Sequence, residues 1–214
     1  MHKLPKTVQP SVFEFDKPAK ERIVEASHKL FRAFGIRVGS HLIAHEAHSN
    51  VDTLVKYFGY GEALVGRFIK ALVAEAEEVW NSRAAEHAGD AEAQLRWWLA
   101  FEEEQAGFAT APQVLLARTA AELYRYRKPP LLLQIDEHWQ AERRRVVGLC
   151  RKAGLRDPIE LADKLLLLVH GVRNERDAYG CFAPSRMLQQ AGNDLMVAHG
   201  ASSKPRAEHK IEED

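Results

Sequence analysis

Cysteine is scarce in this chain of 214 residues, and long apolar runs and an excess of either charge are missing. Its two cysteines, Cys150 and Cys181, are too few for a disulfide framework, and nothing near the N-terminus resembles a secretory signal. The most apolar stretch, residues 165–169, is far too short to cross a bilayer. Thirty basic residues balance thirty acidic ones, so net charge selects no partner. These absences argue against secreted and membrane-spanning proteins, and we expect a cytoplasmic one.

Signatures of catalysis and of cofactor binding are missing as well. The chain contains no P-loop, G-x-G-x-x-G, G-x-S-x-G or H-E-x-x-H motif. His41, His45 and His48 follow each other at steps of four and three residues, a spacing that can bind zinc, but no cysteine or acid completes a site. We therefore expect no enzyme, no metal and no cofactor. Whether Cys150 and Cys181 form a redox pair stays open, because nothing in the sequence brings them together.

Helical periodicity is what the chain has in quantity. Hydrophobic residues make up 46% and charged residues 28%, which is typical of globular proteins. The apolar residues recur at steps of three and four, and alternating runs bounded by Asn-Gly or Asp-Gly turns are absent. The pattern predicts an all-α fold of about nine helices, near 18–34, 40–47, 50–58, 61–87, 91–107, 113–126, 131–153, 157–178 and 184–199.

The charge distribution and the helix-ending glycine and proline residues divide the chain into a head and a body. Residues 1–70 contain eleven Lys or Arg and seven Asp or Glu, a surplus of +4 that the remaining residues cancel. A basic head favours a polyanionic partner. We predict a flexible arm over 1–16, a three-helix head over 17–62, a larger helical body over 63–200 and a disordered tail over 201–214. The long helix near 61–87 would connect the head with the body.

Two short helices joined by a tight turn follow a longer one in the head, as in a helix-turn-helix unit. We expect the second short helix to start after an N-cap at Asn50 and to bury Val51, Leu54 and Phe58. Its polar side would then be able to enter the major groove of DNA. The side chains expected to meet DNA by hydrogen bonds or charge are Ser40, Asn50, Asp52, Thr53, Lys56 and Tyr57.

The head carries a recognisable pattern over residues 20–64. It reads R-I-x-x-A-x-x-x-L-F-x-x-F-G-I from Arg22, I-A-x-E-A from Ile43 and T-L-x-x-Y-F-x-x-x-E-A-L from Thr53. This pattern resembles the TetR family of bacterial transcriptional regulators, and residues 153–171 look like the stretch joining the last core helices in many members. The resemblance implies a homodimer paired through helices near 157–178 and 184–199. It also implies that the protein binds an operator in double-stranded DNA and a small-molecule effector in the body. We expect a repressor that the effector releases from its operator.

Three positions depart from the family pattern. His48 stands where the family has a turn glycine, Val55 where it has a phosphate-binding tyrosine, and Gly61 where it has a lysine. Losing a hydroxyl and an ammonium removes two contacts to the DNA backbone. An alternative therefore stays open, in which the protein is a helical dimeric ligand-binding or interaction module with weakened or lost operator binding.

The body offers aromatic and polarisable residues for an effector cavity, since such cavities are mostly apolar with a few polar groups. Aromatic residues at helical spacing, however, more often belong to a core than to a cavity wall. The four candidates for ligand contact are Trp98, Phe101, Trp139 and His170. The acidic run 102–104 and the basic run 143–145 are interpreted as solvated helix faces.

Overall fold

The computed structural model describes residues 17–125, 129–179 and 187–203, and over these residues it is all-α, as predicted. Every predicted helix forms close to its predicted bounds, and a short 3-10 helix, Ala85–His87, follows the fourth. The predicted arm over 1–16, Cys181 and the tail from 204 onward lie outside the described residues. The helices are α1 Ala19–Phe34, α2 Ser40–Glu46, α3 Val51–Phe58, α4 Glu62–Ala84, α5 Ala91–Ala106, α6 Pro112–Arg125, α7 Pro129–Lys152, α8 Pro158–Tyr179 and α9 Leu188–Ala198.

The chain divides into two compact units, Met1–Arg67 and Phe68–Asp214. This division falls inside α4, whereas the sequence suggested one at residues 62–63, where α4 begins. The helix α4 is therefore continuous from the first unit into the second. None of the helices in the described part of the chain combines the length with the apolar composition that a bilayer-spanning segment needs.

The core of the first unit follows the apolar periodicity of its sequence. Helices α1, α2 and α3 pack against one another in every pairing. The predicted stripe on α1 is buried except at Phe34, which is 70% exposed because α1 ends there and Gly35, with φ 85°, redirects the chain. The buried apolar side chains of the three helices and the α2–α3 turn are Ile23, Ala26, Leu30, Phe31, Ile43, Ala44, Ala47, Leu54 and Phe58.

The turn between α2 and α3 depends on His48 and on a distant arginine. His48 has φ 47°, a left-handed conformation that non-glycine residues adopt at some cost. Arg22 on α1 holds this turn, since its Nε donates to the Ala47 carbonyl at 3.0 Å and its Nη2 to the His48 carbonyl at 3.3 Å. The same guanidinium donates to the Lys17 carbonyl at 2.6 Å. One charged side chain thus satisfies carbonyls at the end of α2 that the helix itself cannot pair.

The second unit is built around α5, α7, α8 and α9. Its core contains Trp98 and Leu99 from α5, Cys150 from α7, Val169 from α8 and Met196 from α9. Helix α9 approaches α5 so closely that a Cβ on Gly192 would lie 2.5 Å from Leu99 Cδ1. Burial raises the pKa of the Cys150 thiol to about 11. That cysteine is therefore a protonated core residue at neutral pH, which argues against a reactive thiolate there.

Candidate functional site

The outer face of α3 presents polar side chains to solvent in the first unit. Asn50 caps the helix, since its Oδ1 accepts a hydrogen bond from the Thr53 backbone N–H at 2.7 Å, which confirms the predicted N-cap. Asp52, Lys56 and Tyr57 are exposed, whereas Leu54 is wholly buried on the opposite side. The amphipathic pattern of α3 thus leaves a polar face that a ligand or a macromolecule can reach.

The candidate DNA-contacting residues fall on two elements of the first unit. Thr53 is partly buried and belongs to the first turn of α3, together with the exposed Asp52. Ser40 opens α2 and is partly buried. Five of the six candidates therefore lie along α3 or at its cap, and Ser40 alone comes from the other short helix.

The charge around this face is balanced rather than basic. Residues 37–57 contain two cations, Arg37 and Lys56, and two anions, Glu46 and Asp52. Glu46 pairs with Lys29 of α1, which lowers the pKa of the glutamate by a hydrogen bond and by charge. Among the described residues, Lys56 takes part in no ion pair, so its ammonium can meet a phosphate.

The second unit contains a cluster of buried charges at the centre of its helices. Arg173 on α8 donates to Glu102 on α5 at 2.8 and 2.6 Å and to Glu142 on α7 at 2.9 and 2.6 Å. These three side chains are 3%, 3% and 2% exposed. One guanidinium is thus shared in bidentate geometry by two carboxylates that water does not reach.

The two carboxylates respond differently to this environment. Burial raises the pKa of Glu102, with a further upward push from Glu142, against the opposing charge of Arg173. Burial also acts on Glu142, but the charge and hydrogen bonds of Arg173 outweigh it, so the pKa of Glu142 is lowered. The pKa of Arg173 is raised because its two carboxylates outweigh its burial. Of the two carboxylates, Glu102 therefore accepts a proton more readily than Glu142.

A second layer of polar residues surrounds the cluster. Glu77 on α4 pairs with Arg145 and lies 3.2 Å from His138 Nδ1. Gln113 Nε2 and His138 Nε2 are 3.2 Å apart. Arg145 also stacks on Trp80, with its guanidinium carbon 4.7 Å from the ring centre. Burial lowers the pKa of His138, which favours the neutral imidazole.

A cavity of the second unit opens onto the two glutamates. It encloses about 30 Å³, room for about two water molecules. Trp97 stacks on Phe101 at 5.3 Å between ring centres and meets Trp80 edge to face at 5.8 Å, so one part of the wall is aromatic. The lining residues are Ala76, Val79, Trp80, Trp97, Phe101, Glu102, Gln105, Ala111, Pro112, Gln113, Glu142 and Arg145.

The four residues suggested for ligand contact do not lie together. Phe101 lines the cavity, whereas Trp98 is wholly buried in the hydrophobic core and its neighbour Trp97 faces the cavity instead. Trp139 and His170 line a separate, shallow depression of the surface, and their ring centres are 5.2 Å apart. Burial lowers the pKa of His170.

The interpretation of the charged runs as solvated faces is wrong for Glu102 and Arg145. Glu102 is buried on Arg173, and Arg145 turns inward to Glu77 and Trp80. Glu104, Arg143 and Arg144 are exposed as expected, and Arg143 also pairs with Asp163. Glu103 is partly buried and accepts a hydrogen bond from the Gln189 backbone N–H. A signal was present in the sequence, since each buried charge continues an apolar stripe at helical spacing, as Glu102 does after Leu95, Trp98 and Leu99.

Comparison with known proteins gives a fold. No protein-family model matches the chain, and no curated protein matches it in sequence. A solved structure described as a regulator from Saccharomonospora viridis in complex with choline is 18% identical, with a TM-score of 0.70 over 85% of this chain and 96% of that one. A TetR-family transcriptional regulator from Agrobacterium tumefaciens is 17% identical, with a TM-score of 0.67 over 86% and 98%. The chain has the TetR-family fold.

A further structure of this fold is the TetR-family repressor FadR of Thermus thermophilus in complex with lauroyl-CoA. It is 21% identical, with a TM-score of 0.57 over 88% of this chain and 98% of that one. The resemblance seen in the sequence is thus confirmed for the fold. All three structures are described as regulators of transcription rather than as enzymes.

The three positions that depart from the TetR pattern can be located in the structure. His48 adopts the left-handed turn that the family gives to glycine. Gly61 has φ 101°, so the chain enters α4 through a conformation that a lysine at this position would strain. Val55 is partly buried on α3, and Tyr57, two residues on, supplies an exposed hydroxyl.

Within the described residues, no three His, Cys, Asp or Glu side chains are grouped as a metal site would need, and this includes His41, His45 and His48.

Proposed function

We propose that the protein is a cytoplasmic, homodimeric transcriptional repressor, which binds operator DNA through α3 and is released by a small-molecule effector in the second unit. The observation that carries this proposal is the TetR-family fold together with an Asn50-capped α3 whose polar face is exposed. An α-helix fits the major groove, and its first residues reach the base edges. Tyr57 and Lys56 would contact phosphates, while Asn50, Asp52, Thr53 and Ser40 would face bases or backbone.

The test is fluorescence anisotropy on duplexes from the protein's own promoter region and on a scrambled duplex, over a range of salt concentrations. Lys56→Ala should weaken binding to all sequences and reduce the salt slope by about one unit, because one phosphate contact is lost. Lys152→Ala, which removes an exposed lysine of the second unit, is the matched control. Binding that is undetectable or independent of salt would contradict the proposal.

A homodimer is supported by exposed apolar side chains on the last two helices. The predicted rows on these helices largely serve the core of one chain, since Leu161, Leu165 and Val169 are wholly buried there. Other side chains of the same helices remain exposed, and Leu167 in the middle of α8 is 74% exposed. Ile159 and Val197 add apolar surface of the kind that two-fold dimers bury.

Light scattering on Leu167→Glu tests the dimer. We expect the dimer to dissociate, because the substitution places a charge in a self-complementary apolar interface. Leu133→Glu changes an exposed leucine of α7 in the same way and should leave the dimer intact. A dimer unaffected by both substitutions would exclude the α8–α9 pairing.

Effector control is supported by the composition of the cavity wall. Ala76, Val79 and Trp80 belong to α4, which continues into the first unit. The enclosed 30 Å³ is too small for choline or lauroyl-CoA, the molecules in the neighbouring complexes, so such an occupant must move the walls. A ligand that prefers a state with α4 displaced would change the distance between the two α3 helices and so lower DNA affinity.

A second candidate function is a helical ligand-binding or interaction module without operator binding. The balanced charge of residues 37–57 favours it, because DNA affinity depends on cations facing phosphates. The DNA titration decides between the two functions, since only the repressor requires binding that weakens as salt rises.

A further inference from the structure

The buried charges of the second unit do not cancel. Glu102 and Glu142 share Arg173, while Glu77 has Arg145 for itself. Two buried carboxylates therefore face one buried guanidinium, and with all three ionised the cluster carries one surplus negative charge, while the partly exposed Glu77 and Arg145 cancel each other. A buried charge without a partner is costly, so a proton or a cation is needed to balance it.

The cavity places aromatic rings beside this surplus charge. Trp80, Trp97 and Phe101 line it together with Glu102 and Glu142, and carboxylates with aromatic faces are the combination that attracts organic cations. Trp80 already has a cation on its face, the guanidinium of Arg145.

The amide of Gln113 adds an acceptor to the cavity. Gln113 lines the same wall, and its Oε1 is buried without a hydrogen-bond partner among the residues that the structure describes. An unpaired buried oxygen is unfavourable, and the N–H of a protonated amine would satisfy it, whereas a quaternary ammonium has no such donor.

We infer that this cavity, once its walls have moved apart, binds a small organic monocation, an amine or a quaternary ammonium, with its charge against Glu102 and Glu142 and its apolar groups against Trp97 and Phe101. An anion would meet the two carboxylates, and a neutral ligand would leave the surplus charge to be balanced by a proton. The inference specifies the effector class of the proposed repressor, and only its consequence for DNA rests on that proposal.

The pKa of Glu102, raised by burial, implies that cation binding and protonation compete. The charged and titratable groups around Glu102 and its partner Glu142 are Arg145 and His138 of α7, Arg173 and His170 of α8, and Glu77 of α4. Burial lowers the pKa of both histidines, so they gain charge only at lower pH, where they would repel a cation. Cation affinity should therefore rise with pH, and binding should release protons to the buffer.

The test is calorimetry on the full-length protein with three probes of similar shape, tetramethylammonium, neopentyl alcohol and pivalate. Tetramethylammonium should bind at least about tenfold more tightly than the other two, as expected for a desolvated cation on aromatic rings. Preference for the alcohol or for pivalate, or no binding of tetramethylammonium, would overturn the inference.

Two pairs of variants locate the binding. Glu102→Gln should weaken tetramethylammonium about tenfold, because it leaves Arg173 and Glu142 as a balanced pair, whereas Glu104→Gln changes an exposed glutamate two residues away and should have no effect. Trp97→Leu should weaken it severalfold, and Trp139→Leu, outside the cavity, should not. If Glu102→Gln fails to fold, the tryptophan pair decides, and equal affinities in that pair would refute the site.

DNA titrations separate this inference from the proposed function. Operator binding without any affinity for tetramethylammonium would overturn the cation site and leave the repressor standing. Cation binding by a protein without affinity for DNA would support the site and contradict the repressor.

Discussion

The two units use charged side chains in opposite ways. In the first unit, Lys17 and Glu25 pair at the surface, and the Arg22 guanidinium donates hydrogen bonds to backbone carbonyls. In the second unit, Arg173 and two glutamates are buried among apolar helices. A surface pair contributes little to stability, whereas a buried cluster recovers its desolvation cost only with complete pairing.

This difference indicates where function constrains the sequence. Apolar side chains of similar volume in place of a buried ion pair are often neutral or stabilising, so stability alone does not require the cluster of Arg173. A charged centre that faces a cavity is better explained by a ligand that it recognises. In the first unit, by contrast, the polar face of α3 is accessible without any cost of burial.

The largest effect on stability is expected when the buried cation of the second unit, Arg173, is removed. Arg173→Met leaves two buried carboxylates without a cation and should lower the free energy of unfolding by about 3–5 kcal/mol. All four tryptophans lie in the second unit, so denaturant unfolding followed by tryptophan fluorescence reports on that unit.

Arg143→Met is the matched control for this substitution. Arg143 on the same α7–α8 interface pairs with Asp163 at 2.6 and 2.8 Å, but both side chains are about half exposed. Its loss should cost less than about 1 kcal/mol. Equal losses for the two variants would show that burial of the cluster has no energetic importance.

The sequence predicts most of the fold because each helix carries its own apolar stripe and its own stop signal. Asn50 could be recognised as an N-cap, and Gly35 as the end of α1, from neighbouring residues alone. The apolar stripes indicate that Glu102, Glu142 and Arg173 are buried, but their contact could not be predicted, because they come from three helices and meet only through tertiary packing. The choice of Trp97 over Trp98 as cavity wall likewise depends on the rotation of α5, which periodicity leaves uncertain by one residue.

A smaller effect is expected in the first unit at Arg22. Arg22→Met removes charge-assisted hydrogen bonds to the Ala47 and His48 carbonyls and should destabilise the α2–α3 turn by about 1–3 kcal/mol. Hydrogen exchange resolved by peptide should show that the substitution speeds up exchange in α2 and α3 and leaves the exchange rates of α7 and α8 unchanged. Lys20→Met, an exposed lysine on the same helix, provides the comparison. Protection equal to that of Lys20→Met would mean that the turn does not depend on the guanidinium.

The smallest effect is the pH dependence of stability, which we expect to arise from buried histidines of the second unit. Burial lowers the pKa of His138 and His170 below the ordinary 6.5, so the folded second unit binds protons less readily than the unfolded chain. Their contribution to stability is complete above pH 6.5 and is lost as pH falls below it, by about 1 kcal/mol or less for each histidine at pH 5.5. Unfolding followed by tryptophan fluorescence at pH 7.5 and 5.5 should show a smaller loss in His138→Gln than in the unmodified protein. His41→Gln, at an exposed histidine of the first unit, should show the full loss, and a reduced loss in this variant too would remove the assignment to the buried imidazole.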